Sequence, residues 1–175
     1  AKNAETFGIE LDVKKSLDFI GLRGLSLVCN AAYIHSRVRF EEGAPERDRP
    51  LAGQSPYLVN AGLFYQHDDK GISASLLYNR IGKRIESVGV PMQNQNEDIP
   101  DIYEMPRNSL DLTFSKKIGK VVEIKAGIQD MLNSKIEYKQ FVKLADENGG
   151  KREREQLVRS YRPGVDINVG VSLKF

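Results

Sequence analysis

Val165-Asp166-Ile167-Asn168-Val169-Gly170-Val171-Ser172-Leu173-Lys174-Phe175 is an unbroken alternation of apolar with small or polar residues. In an extended chain successive side chains point to opposite faces. Val165, Ile167, Val169, Val171, Leu173 and Phe175 therefore share one face, and Asp166, Asn168, Gly170, Ser172 and Lys174 share the other. The stretch predicts a strand with one strongly apolar face and one face that tolerates water.

The same period recurs upstream. Phe7, Ile9, Leu11 and Val13 alternate with Gly8, Glu10, Asp12 and Lys14, and Leu110, Leu112 and Phe114 alternate with Asp111, Thr113 and Ser115. Val122, Ile124, Ala126 and Ile128 do so with Glu123, Lys125, Gly127 and Gln129. Tyr57, Val59, Ala61, Leu63 and Tyr65 form one further face, and Ile72, Ala74, Leu76 and Tyr78 another. From about Leu25 to Phe40 both alternations are partly apolar, which leaves its faces unassigned. The count is about seven strands, each near or above the roughly ten residues of a tilted membrane-spanning strand. Ordinary strands run nearer five or six.

The connections alternate in length. His67 to Gly71 and Lys117 to Lys120 read as tight hairpin turns, whereas Glu41 to Pro56, Glu86 to Pro106 and Leu144 to Gln156 read as long polar loops. Short turns at one end and long loops at the other is the asymmetry of outer-membrane barrels. Lys15 to Gly24, with Phe19, Ile20 and Leu22, is expected to be an apolar turn packed against a barrel rim. Asp130 to Lys143 is expected to extend a strand beyond the membrane, in preference to a helix. Tyr57 and Tyr65 lie on one face, about 26 Å apart at about 3.3 Å per residue, and tilted they bracket an apolar band of about 20 Å.

Composition sets the outer bounds. The 175 residues are 40% hydrophobic and 29% charged, with mean hydropathy −0.43, and contain no run of the roughly 18 apolar residues that a spanning helix requires. Cys29 stands alone, so neither an internal disulfide nor a cysteine metal cage can form. Lys plus Arg of 26 against Asp plus Glu of 24 leaves +2, too balanced to make nucleic acid the main partner. The start, Ala1-Lys2-Asn3-Ala4-Glu5, has no apolar signal region and reads as a mature chain or an excised fragment. An odd number of antiparallel strands cannot close on itself simply, so the chain is expected to be part of something larger.

Catalytic chemistry finds no footing. His35 and His67 have no nucleophile or metal-ligand spacing beside them, and Glu97, Asp98, Asp101 and Glu104 read as a solvated acidic loop rather than a calcium or acid–base site. The expectation is neither an enzyme nor a cofactor or metal protein.

Three blocks resemble a known family. Arg49-Pro50-Leu51-Ala52-Gly53-Gln54-Ser55-Pro56-Tyr57-Leu58-Val59-Asn60-Ala61-Gly62-Leu63 is similar to the segment of TonB-dependent outer-membrane receptors in which a charged loop turns down into a transmembrane strand. Asn3 to Leu11 resembles a strand entry of those receptors, and Tyr161-Arg162-Pro163-Gly164 followed by alternation to Phe175 resembles their last strand, whose terminal aromatic serves as a barrel-assembly signal. The resemblance implies an all-β fold: an antiparallel transmembrane β-barrel segment, with residues 1–175 forming the C-terminal portion of a barrel of about 22 strands around a plugged lumen. Plug and energy-coupling box have no counterpart here.

It further implies energy-coupled uptake of a large or scarce nutrient across a Gram-negative outer membrane. The partners would be membrane lipid, the extracellular nutrient, the barrel assembly machinery and a TonB complex reached through the missing N-terminal part. Arg47, Asp48, Arg49, Glu97, Asp98, Tyr103, Lys151 and Arg152 are the candidate substrate contacts, since binding groups concentrate on long loops over a rigid scaffold. The rival reading is a soluble β-sandwich or lipocalin-like carrier, which calls for connections of similar length at both ends and a partly apolar second face.

Overall fold

The structure, a computed structural model, describes residues 1–91, 98–145 and 151–173, and for 143–145 and 151–152 only the backbone. Phe175 and Glu97 lie outside the described residues. Eleven strands form among the described residues: β1 (Asn3–Ser16), β2 (Leu25–Arg39), β3 (Tyr57–His67), β4 (Ile72–Ile81), β5 (Arg84–Ser87), β6 (Ile102–Glu104), β7 (Arg107–Ile118), β8 (Val122–Gln129), β9 (Ile136–Ala145), β10 (Lys151–Tyr161) and β11 (Asp166–Leu173). No α-helix occurs among the described residues.

Two antiparallel sheets result, one in the order β1-β2-β3-β4-β7-β8-β11 and the other β5-β6-β9-β10. The second continues the first. β4 runs on into β5, β6 into β7, β8 into β9 and β10 into β11, so the expected seven chain traces are present but four of them are interrupted. Each break has a local cause. Pro106 lacks the N–H that a ladder needs, Gly82 and Gly164 flank two other breaks, and Asp130 and Asn133 take φ of 52° and 43°, outside the extended region.

Several expectations are corrected by these breaks. Leu144 to Gln156 is not all loop, because β9 runs to Ala145 and β10 begins at Lys151. Glu86 to Pro106 contains the end of β5 and all of β6. Asp130 to Lys143 does extend a strand, but only after a turn, and its extension joins the second sheet. The Lys15 to Gly24 turn does not pack against the sheet: Phe19 is 71% exposed, and Ile20 and Leu22 also project outward.

Register decides what the seven-stranded sheet presents. Directly opposed residues of an antiparallel pair share a face. Val13 opposes Cys29, which opposes Ala61, which opposes Tyr78, which opposes Leu110. One row along, Leu27, Leu63, Leu76, Leu112, Ile128 and Ile167 line up across six strands. Every apolar set of the alternation thus lands on one face. β2 is resolved by the same pairing, with Leu25, Leu27, Cys29, Ala31 and Tyr33 on the apolar face. That face is uncovered, with Ile9 at 77% and Val169 at 74% exposure.

The reverse face carries a polar ladder. Asn79 Nδ2 donates to Asn60 Oδ1 (2.6 Å), Asn60 Nδ2 to Asn30 Oδ1 (3.4 Å), and Asn30 Nδ2 to Glu10 and Asp12 (2.6 and 2.8 Å). Ser73 and Ser115 hydroxyls, and those of Ser75 and Thr113, bond across the neighbouring pair of strands at 2.8 and 2.6 Å.

The short turns are staggered. The last pair of β1–β2 is Ser16 with Ser26, and Ser26 opposes Phe64, three residues before the last pair of β3–β4, His67 with Ile72. Ile72 opposes Lys116, two residues before the last pair of β7–β8, Ile118 with Val122. A drift of five residues over four strands, at about 3.3 Å per residue and about 4.8 Å between strands, corresponds to an inclination of roughly 40°. That is the strand tilt of a barrel wall.

The sheet does not close. Six antiparallel steps leave β1 and β11 parallel to one another, both fully exposed along their length. The chain exposes 12543 Å², against roughly 8,600 Å² for a compact monomer of its mass. Every extensive contact between strands is between ladder neighbours, so the two sheets are not packed face to face. Among the described residues only Ile85 and Tyr138 are buried hydrophobics.

Among the described residues Ile85 is the most enclosed hydrophobic side chain, at 2% exposure, and the Gly53-Gln54-Ser55-Pro56 turn is bonded to its strand. Gly53 takes φ of 79° and its N–H donates to the Ile85 carbonyl at 2.8 Å. A Cβ on Gly82 would lie 2.8 Å from both Ser55 Oγ and the Tyr57 ring, so only glycine admits this approach. Ile85→Ala should cost about 2–5 kcal/mol locally. Hydrogen exchange is expected to accelerate at the Gly53 amide while protection in the β8–β11 ladder stays unchanged.

Candidate functional site

The long connections fold onto the second sheet and enclose a pocket of about 350 Å³. The link from β2 to β3 is pinned first. Val38 and Arg49 exchange backbone hydrogen bonds at 2.7 and 3.2 Å, which returns the loop onto the end of β2. Inside that return Asp48 accepts from the Phe40 N–H (3.2 Å) and from Arg37 Nη2 (2.9 Å), and the Arg49 guanidinium lies over the Phe40 ring at 4.9 Å.

The second wall is the link from β5 to β6. Val90 and Ile99 form a bridge within it, and Asp101 accepts from the Gly89 N–H at 2.7 Å. Arg47 Nη2 reaches Asp98 Oδ2 at 2.5 Å, tying the two connections together across 51 positions of sequence.

The second sheet supplies the floor. Tyr103 on β6 and Phe141 on β9 meet edge to face, with ring centres 5.6 Å apart at 73°. The Lys83 ammonium lies 4.5 and 4.3 Å from the two ring centres, a cation–π arrangement at the pocket's edge. Burial, then the neighbouring Asp101 carboxylate, pushes the Tyr103 hydroxyl above the usual tyrosine range, so it remains a neutral donor. On the flank of β9, Lys139 bridges Glu155 (2.5 Å) and Glu137 (3.3 Å), and the Glu155 bond holds its ammonium above the ordinary lysine value.

Five of the eight candidate contacts therefore converge: Arg47, Asp48, Arg49, Asp98 and Tyr103 all line this pocket. Lys151 and Arg152 sit at the start of β10, with their side chains outside the described residues, as is Glu97. Phe141, Glu153 and Lys83 were not singled out from the sequence. The pairing that brings Phe141 beside Tyr103 crosses nearly forty residues, which the local sequence does not report. The acidic residues of the 97–104 stretch take separate roles. Asp98 meets Arg47, Asp101 caps Gly89, and Glu104 holds Arg84 through two bonds of 2.9 and 2.7 Å.

A second concavity of about 300 Å³ lies on the polar face, between the Asn30–Asn60–Asn79 ladder and an apolar patch of Val28, Phe64 and Leu77. His35 lies against Phe7 on the apolar face, with ring centres 5.0 Å apart and the planes tilted by 33°. Among the described residues no three His, Cys, Asp or Glu side chains converge as metal ligands.

A scan of protein-family models, a search of curated proteins and a search of solved structures each returned no match. The pocket's chemistry is thus read from its own groups, which combine donors, acceptors, two aromatic edges and paired charges. Such a lining suits recognition of a polar ligand with apolar surface.

The Phe40 N–H, then Arg37, hold the Asp48 carboxyl below the usual aspartate range, against partial desolvation. A depressed carboxyl stabilises the loop above the ordinary value of about 3.9 and loses that contribution as pH falls through its lowered one. The exchange protection factor of the Phe40 amide should accordingly hold near neutrality and drop only in strong acid. In Asp48→Ala it is expected to be low at every pH.

Proposed function

We propose that this chain forms part of the wall and the outer loops of a transmembrane β-barrel, in an outer-membrane receptor for energy-coupled nutrient uptake. The observation that carries the reading is the apolar face shared by seven registered strands, exposed to solvent and backed by an amide and hydroxyl ladder. A face of that kind is stable against acyl chains and its reverse against a wet lumen. The strand inclination of roughly 40°, the short turns at one end and the long connections at the other support it further. The two parallel edges, β1 and β11, call for an odd number of further strands to complete an antiparallel ring.

In this reading the pocket between the two long connections is the first contact of the nutrient, with Arg47, Asp48, Arg49, Asp98 and Tyr103 as its groups. The wall itself does not drive transport. Energy would come through a plug and a TonB complex contributed by the rest of the protein, and insertion would depend on lipid and on the assembly machinery. A soluble sandwich is disfavoured, since two packed layers would bury the faces that lie open.

Two experiments on the full-length protein test the two halves of the proposal. Leu112→Lys on the apolar face should cost about 2–4 kcal/mol of membrane stability, whereas Ser172→Lys on the polar face should be nearly neutral. Equal effects, read as heat-modifiable mobility after folding into vesicles, would defeat the wall reading. Deleting Gly43 to Arg49 should abolish ligand binding while leaving that mobility unchanged, and unaltered binding would remove the pocket from the mechanism.

A further inference from the structure

Resting on the wall reading, we propose that the short-turn rim binds the phosphate headgroups of anionic phospholipids. The charges of this chain are distributed unevenly along the strand direction. Of the eight ion pairs among the described residues, seven lie toward the long connections, and only Lys125 with Glu123 lies toward the short turns. The three turn regions, residues 14–24, 67–71 and 116–123, hold seven Lys and Arg against four Asp and Glu, a balance of +3, while the whole chain carries only +2. The acids are partly engaged in the turns themselves. Asp18 accepts from Ser16 Oγ and the Gly24 N–H, and Asp68 accepts from Gln66 Nε2.

Four of the cations, by contrast, have no carboxylate within ion-pair distance among the described residues. Among the described residues Lys15, Lys70 and Lys120 make no ion pair, and Lys116 Nζ donates only to the Lys70 carbonyl. Their positions follow from the register. Lys15 and Lys116 share the apolar face, Lys15 beyond Val13 and Lys116 opposite Ile72 and Ile124. Lys15 sits one residue, and Lys116 two residues, from the ends of their strands, so the stagger of the turns brings them to one level. Lys70 and Lys120 cap the two tight turns at that level.

Immediately beside them the apolar surface continues past the strands. Phe19, Ile20, Ile118 and Val121 are all exposed at the turns, and the Lys15 ammonium lies 5.3 Å from the Phe19 ring centre. Long basic side chains rising from the edge of an apolar band, flanked by aromatic and aliphatic groups, match the boundary between acyl chains and headgroups. Their unneutralised charge matches a negative headgroup layer. A soluble acidic protein would explain the charge but not the apolar turn residues directed to the same level.

The test uses the full-length protein in detergent, titrated with phosphatidylglycerol or phosphatidylcholine and read by native mass spectrometry, with insertion into vesicles of each lipid followed in parallel. Each cation beside an anionic surface contributes roughly fivefold. The variant with Lys15, Lys70, Lys116 and Lys120 all changed to Gln should therefore lose several hundredfold of the preference for phosphatidylglycerol, on the order of fivefold for each of the four charges. The matching Lys→Arg variant should keep it, separating charge from folding defects. Insertion with no preference between the two lipids, or a preference unaltered in the Gln variant, would overturn the headgroup site and leave the wall reading standing. Equal competition by water-soluble glycerophosphate would also overturn it, in favour of a free phosphate ligand. Failure to insert into either kind of vesicle would sink the wall reading, and this site with it.

Discussion

Cross-strand register is the constraint on which the rest depends. A slip of one residue between any two strands would rotate one whole apolar set onto the polar face. The row Leu27, Leu63, Leu76, Leu112, Ile128, Ile167 would break at that point, and the Asn30–Asn60–Asn79 ladder would lose its partners. Hydrogen bonding of the backbone alone does not select the register, because any slip makes a similar number of bonds. Selection comes from placing like with like on each face, aided by tight turns that fix the start of each hairpin.

The interruptions matter as much as the continuity. Gly82, Pro106, the left-handed Asp130 and Asn133, and Gly164 all lie where the seven-stranded sheet ends and the four-stranded sheet begins. Below that line the sheet is two-faced. Above it, paired charges such as Arg84 with Glu104 and Lys139 with Glu155 appear on the strands of the smaller sheet. On the far side of the break the Gly53 turn bonds to β5 at Ile85, and the loop that carries Arg47, Asp48 and Arg49 is held between that turn and its bridge to Val38. The candidate pocket thus forms where the seven-stranded sheet gives way to the four-stranded one.

Much of this was legible in the alternation. A period of two over Val165 to Phe175, Phe7 to Val13 and Val122 to Gln129 identifies strands without reference to partners, since the side chains themselves report which face each is to occupy. The strand from Leu25 was not legible in that way: Val28, Ile34 and Val38 make its polar face partly apolar, and only its pairing with β1 and β3 distinguishes the two. The charged run at Lys151 looked like solvent-facing loop, because a strand that projects beyond an apolar band has no hydrophobic period to announce it. The Phe19 turn was misplaced because apolar residues in a turn signal contact with something, and the sequence does not say whether that contact is the protein's own sheet.

For the pocket, charge and loop length were sufficient to nominate Arg47, Asp48, Arg49, Asp98 and Tyr103, but not to join them. By itself, then, the order of residues determined that this chain is made of two-faced strands with turns of unequal length at their two ends, because those properties are local and periodic. The tertiary structure alone decided which strands break, how steeply they incline, and which distant side chains meet. Those outcomes depend on pairing between segments tens of residues apart, whose energies are set by the partner strand and not by the local sequence.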